Sequence, residues 1–363
     1  MTRALVAGGG IVGLTTALAL RRVGLDVTVV EQAPEIRSTG TSLGLWRNAL
    51  AVFSDLGIAD RIRAVGRPAS MYFHDAAGRL LETPEHGPAD HDYFLANRPL
   101  LNDVLADAVG RAHIRLSTRV AAYTETADSV TVHFSDGSAD TFDLLVGADG
   151  LHSAVRTHLI PSAMPRPHPG HHTWRGLLPP GAADVTGAAM TVGHHRCRGG
   201  YARTHDGGAY WLVSQLGSPT PTAGAKSEAL TRAEHLNDNG WNDQLLTVIA
   251  ATPDDQVLHN PITIVPPLPR WTSHRVALAG DAAHAMSPHI TAGASLGIQD
   301  AAALSHHLAA HPDMPQALAA YESDRIPHYA RVRTLSDAVE HYRTPAEFAH
   351  RYAAFTHWMI NST

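Results

Sequence analysis

The chain has 363 residues, of which 44% are hydrophobic and 17% charged, and its formal net charge is -6. This is an ordinary globular balance, enough for one large domain or two coupled ones. An acidic chain without a basic run argues against a nucleic-acid partner. The single cysteine, Cys197, excludes an internal disulfide and a CxxC metal or redox motif. No apolar run reaches the roughly 18 residues of a membrane span. The opening residues enter a strand directly rather than a signal peptide's charged and apolar regions, so the expectation is a cytoplasmic protein.

The opening reads strand, tight turn, helix, strand: Ala4–Ala7, a glycine turn, Ile11–Arg22, then Val27–Val30 ending at Glu31. Short apolar runs of this kind suit buried parallel strands, and the whole is one βαβ unit. A helix is expected near Arg47–Phe53 and another over Leu95–Val109, with Leu100, Leu101, Val104, Leu105 and Ala108 on one face. Short strands follow around Ile114–Leu116, Val130–Phe134 and Thr141–Val146, the last two joined by the hairpin turn Ser135-Asp136-Gly137. From Pro161 to Pro269, prolines, glycines and short alternating segments predict an antiparallel sheet with a helix near Ser227–Leu236. A buried strand returns at Val276–Ala279, then a helix from Ala292 to Ala309, and Met314–Ile360 is mostly helical.

The fold class is therefore α/β, a Rossmann-like domain carrying GxGxxG, with an inserted, mostly antiparallel sheet and C-terminal helices. The division expected is a discontinuous cofactor domain (residues 1–70, 94–160 and 270–325), a substrate domain (71–93 and 161–269) and C-terminal helices (326–363).

Gly8-Gly9-Gly10-Ile11-Val12-Gly13 fits GxGxxG between strand and helix. Gly8, Gly10 and Gly13 let the turn close and the backbone approach a pyrophosphate, while the helix N-terminus offers N–H groups and a positive dipole end. Glu31, 18 residues beyond Gly13, stands where a carboxylate accepts bonds from a ribose diol. This motif alone does not choose between FAD and NAD. Two further strands run into turns that carry an aspartate at the carboxyl end: Leu144–Gly150 with Asp149, and Val276–His284 with Asp281. Open α/β sheets bind ligands at that end.

Together these three motifs resemble the fingerprints of the FAD-dependent aromatic hydroxylases, the class A flavin monooxygenases of the p-hydroxybenzoate hydroxylase type. The resemblance is best over residues 3–58, 94–109, 129–156 and 274–301. It implies that Asp281 holds the ribityl chain of FAD and that Asp149 lies near the flavin. Arg98, in Asn97-Arg98-Pro99-Leu100-Leu101, would reach the flavin side, and Arg37 is a candidate contact to the adenosine or to a visiting NADPH. Pro288 would line the oxygen-reacting face. The family pattern P-x-x-G-Q-G-x-N-x-G-x-x-D-A is matched at Pro288, Gly293, Gly297, Asp300 and Ala301, but Ala292 replaces the usual glutamine and Ser295 the usual asparagine. Gly293 and Ala294, opening the next helix, would aim N–H groups at the flavin's N1–C2=O edge.

The reaction implied is hydroxylation of a small aromatic or polyketide- or alkaloid-like substrate through a C4a-hydroperoxyflavin, with O2 and either NADH or NADPH as transient co-substrates. Pro161–Pro269 contains no second GxGxxG, so no separate nicotinamide domain is expected. The substrate pocket is expected between flavin and inserted sheet, with Trp174, Tyr201, Tyr210 and Trp211 as candidate walls and His194, His195 and His171 as candidate bases. No metal is expected. The protein would work as a monomer or homodimer. The alternative is a flavoprotein of the same fold that oxidises, reduces or cyclises its substrate without hydroxylation. A flavin-dependent halogenase is disfavoured, because no W-x-W-x-I-P segment occurs and Lys226, the only lysine, falls in the inserted sheet region.

Overall fold

Five apolar strands form a parallel sheet in the computed structural model, which describes residues 1–36, 42–204 and 207–362. Across the sheet the order is Val276–Leu278, Leu144–Gly147, Arg3–Ala7, Asp26–Val30, Ile114–Arg115. The central strands are buried on both faces, as the unbroken apolar runs require. Register matters most for function. Ala7 pairs with Gly147 and with Val30, and Gly147 pairs with Leu278. The ladder continues through Ala148 N–H to the Ala7 carbonyl and Ala279 N–H to the Gly147 carbonyl. The three strands therefore end flush, and the three turns leave the same edge side by side.

A second sheet is antiparallel, in the order Ala188–Val192, Cys197–Arg203, Ala209–Gln215, Arg166–Leu178, Val257–Ile264. Side chains on a strand alternate between its faces. One face, with Trp174, Cys197, Trp211 and Val213, packs on the helices Ala225–Glu234 and Asp243–Ala251 and forms its own core. The other face, with Thr173, Arg175, Tyr210 and Ser214, turns toward the first domain. Two three-stranded sheets, Ser42–Leu45 with Asp92–Asn97 and Gly66–Ser70, and Val120–Glu125 with Val130–Phe134 and Ala139–Phe142, flank these. The helices Met314–Glu340 and Pro345–Asn361 close the molecule. The architecture is thus the α/β one expected, and among the described residues no helix is long and apolar enough to cross a membrane.

Two boundaries differ from the sequence expectation. The helix begins at Arg98, not Leu95, because Asp92–Asn97 is the middle strand of a sheet. Asn97 caps the helix by accepting from Leu100 N–H at 3.1 Å, and Pro99 occupies its first turn. Its buried face is Leu101, Leu105, Ala106 and Val109, while Leu100 points out. The run Thr141–Val146 breaks at Asp143, whose carboxylate accepts from Arg3 N–H at 2.7 Å. The strand on each side then joins a different sheet.

Asp300 fastens the third motif to the helices. Its Oδ2 accepts from Gly280 N–H at 2.9 Å and lies 2.6 Å from His284 Nε2, while Arg325 Nε donates to Oδ1 at 2.9 Å. Burial alone would raise this carboxyl's pKa, but His284 and Arg325 outweigh it and hold the group well below the ordinary carboxylate range. Removing one partner of a buried pair costs roughly 3–5 kcal/mol. Asp300→Asn should lose about that much in urea unfolding. Because the folded-state pKa is depressed, the wild-type contribution should be fully present above about pH 4 and fade on further acidification.

Candidate active site

The glycine turn is built by close approach. Gly8 has φ +107°, and a Cβ on it would sit 2.3 Å from the Ala148 carbonyl oxygen. A Cβ on Gly13 would sit 1.9 Å from the Gly8 carbonyl oxygen. Neither position admits a side chain. A Cβ on Gly10 would meet nothing within 4 Å, so Gly10 faces open space at the N-terminus of the helix Ile11–Arg22. Such a cradle accepts a pyrophosphate. Glu31 is anchored at its rim, since Gly9 N–H donates to Oε2 at 2.7 Å and Ala33 N–H to Oε1 at 2.8 Å.

Beside it, Asp149 Oδ2 accepts from Ala154 N–H at 2.8 Å and Val155 N–H at 3.3 Å, capping a short helix. Its Oδ1 is buried without a protein partner, and burial raises the carboxyl pKa. Arg156, fully buried, donates to the carbonyls of Ala163, Ala282 and Leu151 at 3.1, 2.9 and 2.7 Å. It ties the second turn to the third. The third turn uses Gly280 (φ +60°), and a Cβ there or on Gly297 would strike Val12. The first helix and the helix Gly293–Ala310 therefore touch through residues of the first and third motifs.

Asp281 is exposed at this edge, and Gly293 lies beside it, the position of a Gly293 Cβ being 3.7 Å from Asp281 Oδ1. Gly293 and Ala294 open the following helix with their N–H groups. The departures from the family pattern have structural work. Ser295 Oγ accepts from Trp46 N–H at 3.1 Å, and Trp46 Nε1–H donates to the Thr291 carbonyl at 3.0 Å. Ala292 is buried. Pro288 is exposed at the head of a single turn, Pro288–Ile290.

The open face of the antiparallel sheet looks onto that turn. Arg198 donates to the His289 carbonyl, and Ser287 Oγ lies 2.7 Å from His171 Nδ1. Arg98 and Arg175 are close enough that, after burial, each other's charge is what most depresses Arg98, with Asp281 opposing. Arg175 also bonds Tyr210, whose hydroxyl pKa is raised by burial. Arginines 98 and 175, Asp281 and Tyr210 thus form one charged patch between the two sheets.

Other candidates lie elsewhere. His194 is exposed and pairs with Asp238 at 3.0 Å, and His195 packs against His235 on the helical side of the sheet. Their reading as bases is corrected: the turn Gly193–Cys197 carries them away from the three motif turns. Trp174, Tyr201 and Trp211 belong to the second core, and of the proposed walls Tyr210 alone stands on the open face. Arg37 lies outside the described residues. Arg175 and Arg325 had no sequence assignment, and Arg156, His284 and Asp300 fell within matched motifs without a role of their own. Their significance rests on partners far away in the chain, although Arg156 falls within the second motif. Two groups among the described residues could hold a metal ion, His86–Asp90–His357 and His168–His171–Glu340. Each joins distant segments, which residue spacing does not reveal.

The geometry fits FAD: a phosphate cradle, a ribose-side carboxylate, an unsatisfied Asp149 oxygen and a helix N-terminus beside Asp281. A model of the FAD binding domain matches residues 1–178 and 267–336, more than half of the chain. The chain belongs to this FAD-binding family of aromatic-hydroxylase type, and it is an FAD-dependent monooxygenase. It is similar to the aurachin C monooxygenase/isomerase of Stigmatella aurantiaca, with 30% identity over 89% of this chain and 84% of the relative. The FAD-dependent urate hydroxylase of Klebsiella oxytoca is 30% identical over 92% of this chain and 87% of the relative. The solved structure of Klebsiella pneumoniae HpxO complexed with FAD and uric acid superposes with a TM-score of 0.80 at 26% identity, covering 98% of this chain and 93% of that one.

Two substitutions separate cradle from scaffold. Gly10→Val has room in the fold and should leave thermal stability close to wild type while lowering FAD affinity at least about tenfold, since its side chain fills the ligand's space. Gly13→Val should instead fail to fold or lose several kcal/mol, because its Cβ meets backbone. Flavin absorbance after reconstitution and a thermal melt read both.

Proposed function

We propose that this chain hydroxylates a small, electron-rich aromatic substrate, held between the Pro288 turn and the open face of the antiparallel sheet, with NADH or NADPH and O2 as co-substrates. The observation that carries this reading is the convergence of the three motif turns opposite Arg175 and Tyr210. FAD when bound would accept hydride from the nicotinamide and carry activated oxygen to the ring. Gly8, Gly10 and Gly13 with Glu31 would hold its pyrophosphate and ribose, Asp281 its ribityl chain, and Asp149 and Arg98 would flank the ring.

The chain's own side chains then position and charge the site. The helix N-terminus at Gly293–Ala294 would stabilise negative charge at the ring edge beside it. Pro288 offers an apolar, donor-free surface on the oxygen-reacting side. Arg175, held by Tyr210, suits an oxygen-bearing substituent of the substrate. The names of the relatives support the class, since urate hydroxylase and 3-amino-4-hydroxybenzoate 2-monooxygenase denote planar, polar rings. The segment 161–269 supplies a sheet and helices rather than a second dinucleotide fold, which supports a nicotinamide that visits and leaves.

A second reading is favoured by one observation. Ser295 spends its hydroxyl on Trp46, and Ala292 has no polar group, so two usual side-chain contacts to the flavin are missing. A flavoprotein that oxidises, reduces or cyclises its substrate without hydroxylation would need them less.

The test follows NADH and NADPH oxidation with oxygen uptake against phenols, purines and quinolones. Substrate-stimulated consumption with an oxygenated product is the expected result. Reduction without oxygen in any product moves the assignment to the second reading. Arg175→Met should raise KM about 10–100-fold for a ring bearing an anionic oxygen, the loss of one charge-assisted bond, with FAD content unchanged.

A further inference from the structure

Away from the three motif turns, two distant stretches of chain bring together two imidazoles and a carboxylate that the FAD site does not use. Asp90 closes the single turn Pro88–Asp90 and is buried, and His357 stands on the helix Pro345–Asn361, 267 residues further on. His357 Nδ1 lies 2.9 Å from Asp90 Oδ1, and His86 Nδ1 lies 3.6 Å from Asp90 Oδ2. The rings of His86 and His357 are 5.7 Å apart. One donor atom from each of the three residues falls within 4.8 Å of the other two. The carboxylate is held from behind. Its Oδ2 accepts from Gly87 N–H at 3.0 Å, Asp90 N–H returns to the Gly87 carbonyl at 3.0 Å, and Thr356 Oγ1 donates to the Asp90 carbonyl at 2.5 Å. His86 N–H bonds the Thr83 carbonyl at 2.9 Å, and Pro84 and Pro88 on either side stiffen its backbone. Outer bonds of this kind are what fix metal ligands in orientation.

An ordinary ion pair accounts for Asp90 and His357 but leaves His86 unexplained. His86 Nδ1 is buried without a hydrogen-bond partner, and its 3.6 Å to the carboxylate is too long for a bond. Buried polar atoms are nearly always satisfied, and leaving one open costs stability. Neither tautomer fills the contact: an N–H there stops short of the oxygen, and a lone pair would face a second acceptor. A cation between them resolves this, taking one lone pair from each of the three residues. The spacing suits such an ion. Ligands at roughly 2.0–2.2 Å from a tetrahedral Zn²⁺ stand about 3.4 Å from one another, and the contacts of 2.9 and 3.6 Å straddle that edge. His357, with its side chain 57% exposed, has room to adjust and leaves one side open to water.

We propose that His86, Asp90 and His357 bind one divalent transition-metal ion, Zn²⁺ by its donor set, with water as the fourth ligand. Two imidazole nitrogens and one carboxylate oxygen suit Zn²⁺ rather than Mg²⁺ or Ca²⁺, which take oxygen ligands. The ion clamps the segment that precedes the strand Asp92–Asn97 to the C-terminal helix. That strand ends at Asn97, the cap of the helix that begins with Arg98. The site is therefore a staple at the outer end of the strand that leads to Arg98, and it stands apart from the proposed chemistry.

The test uses FAD-loaded protein stripped with a chelator, desalted and given Zn²⁺ alone. The chain carries 25 histidines, so stoichiometry and variants decide, not binding as such. One equivalent of Zn²⁺ per chain should survive gel filtration, resist excess Mg²⁺ and raise the melting temperature by a few degrees. Co²⁺ in its place should show the visible absorption of a four-coordinate ion. His86→Gln and His357→Gln should each weaken Zn²⁺ binding at least about tenfold and abolish the Co²⁺ spectrum. His357→Gln changes a largely exposed side chain, so its metal-free fold is retained. His133→Gln, at an exposed histidine of the strand Val130–Phe134, should bind as wild type does. No retained equivalent, an equivalent that both variants keep, or one that Mg²⁺ displaces overturns the site.

Discussion

The structure depends on three parallel strands that end in register. Ala7, Gly147 and Leu278 lie abreast, so three turns separated by well over a hundred residues emerge at one edge. A parallel ladder allows no gradual compensation, because slipping one strand by a residue would carry its turn about 3.3 Å along the edge, out of line with the other two. The glycines then lock the turns against each other. The Ala148 carbonyl fills the space a Gly8 side chain would need, the Gly8 carbonyl fills that of Gly13, and Val12 fills that of Gly280 and Gly297. Close packing of backbone on backbone leaves little slack, and it makes the glycine turn, the Asp149 cap and the turn that carries Asp281 parts of one rigid body.

Charge placement follows from that rigidity. Arg156 and Asp300 are buried, yet each is satisfied: the guanidinium by three carbonyls, the carboxylate by a backbone N–H, a histidine and an arginine. They fasten neighbouring turns and helices together. By contrast, Asp149 keeps a buried oxygen without a protein partner, and Arg98 is depressed by burial and by Arg175. The satisfied groups hold the scaffold, and the open oxygen of Asp149 belongs to the second of the three motif turns.

What the sequence revealed and what it hid divide along the same line. The parallel sheet and its three motifs were legible because each is local: an apolar run, a glycine turn, an aspartate at a strand end. The helix start at Arg98 was missed because apolar periodicity ran on through Leu95, and only pairing with two distant strands shows that Asp92–Asn97 is extended. His194 and His195 looked useful because histidine is chemically versatile, but facing is set by strand pairing and not by residue type. The same alternation sends Trp174 and Trp211 into a second core and leaves Tyr210 and Arg175 on the open face. Arg175 carried no signal, since one arginine in a polar alternating strand is ordinary.

The loop from Ser287 to Ser295 shows how a departure from a family pattern is absorbed. It is gripped from both sides, by Arg198 at the His289 carbonyl and by Trp46 at Thr291 and Ser295. Thr291 adopts φ +56°, a left-handed conformation that a β-branched residue avoids unless its surroundings hold it. Ser295 holds the Trp46 backbone by accepting its N–H, and the Trp46 indole N–H in turn holds the Thr291 carbonyl. The helix that follows still begins at Gly293, beside Asp281. Backbone donors and the dipole do not depend on side-chain identity, so the N-terminus of this helix keeps them whatever stands at 292 and 295. What the substitutions change is how the loop is fastened.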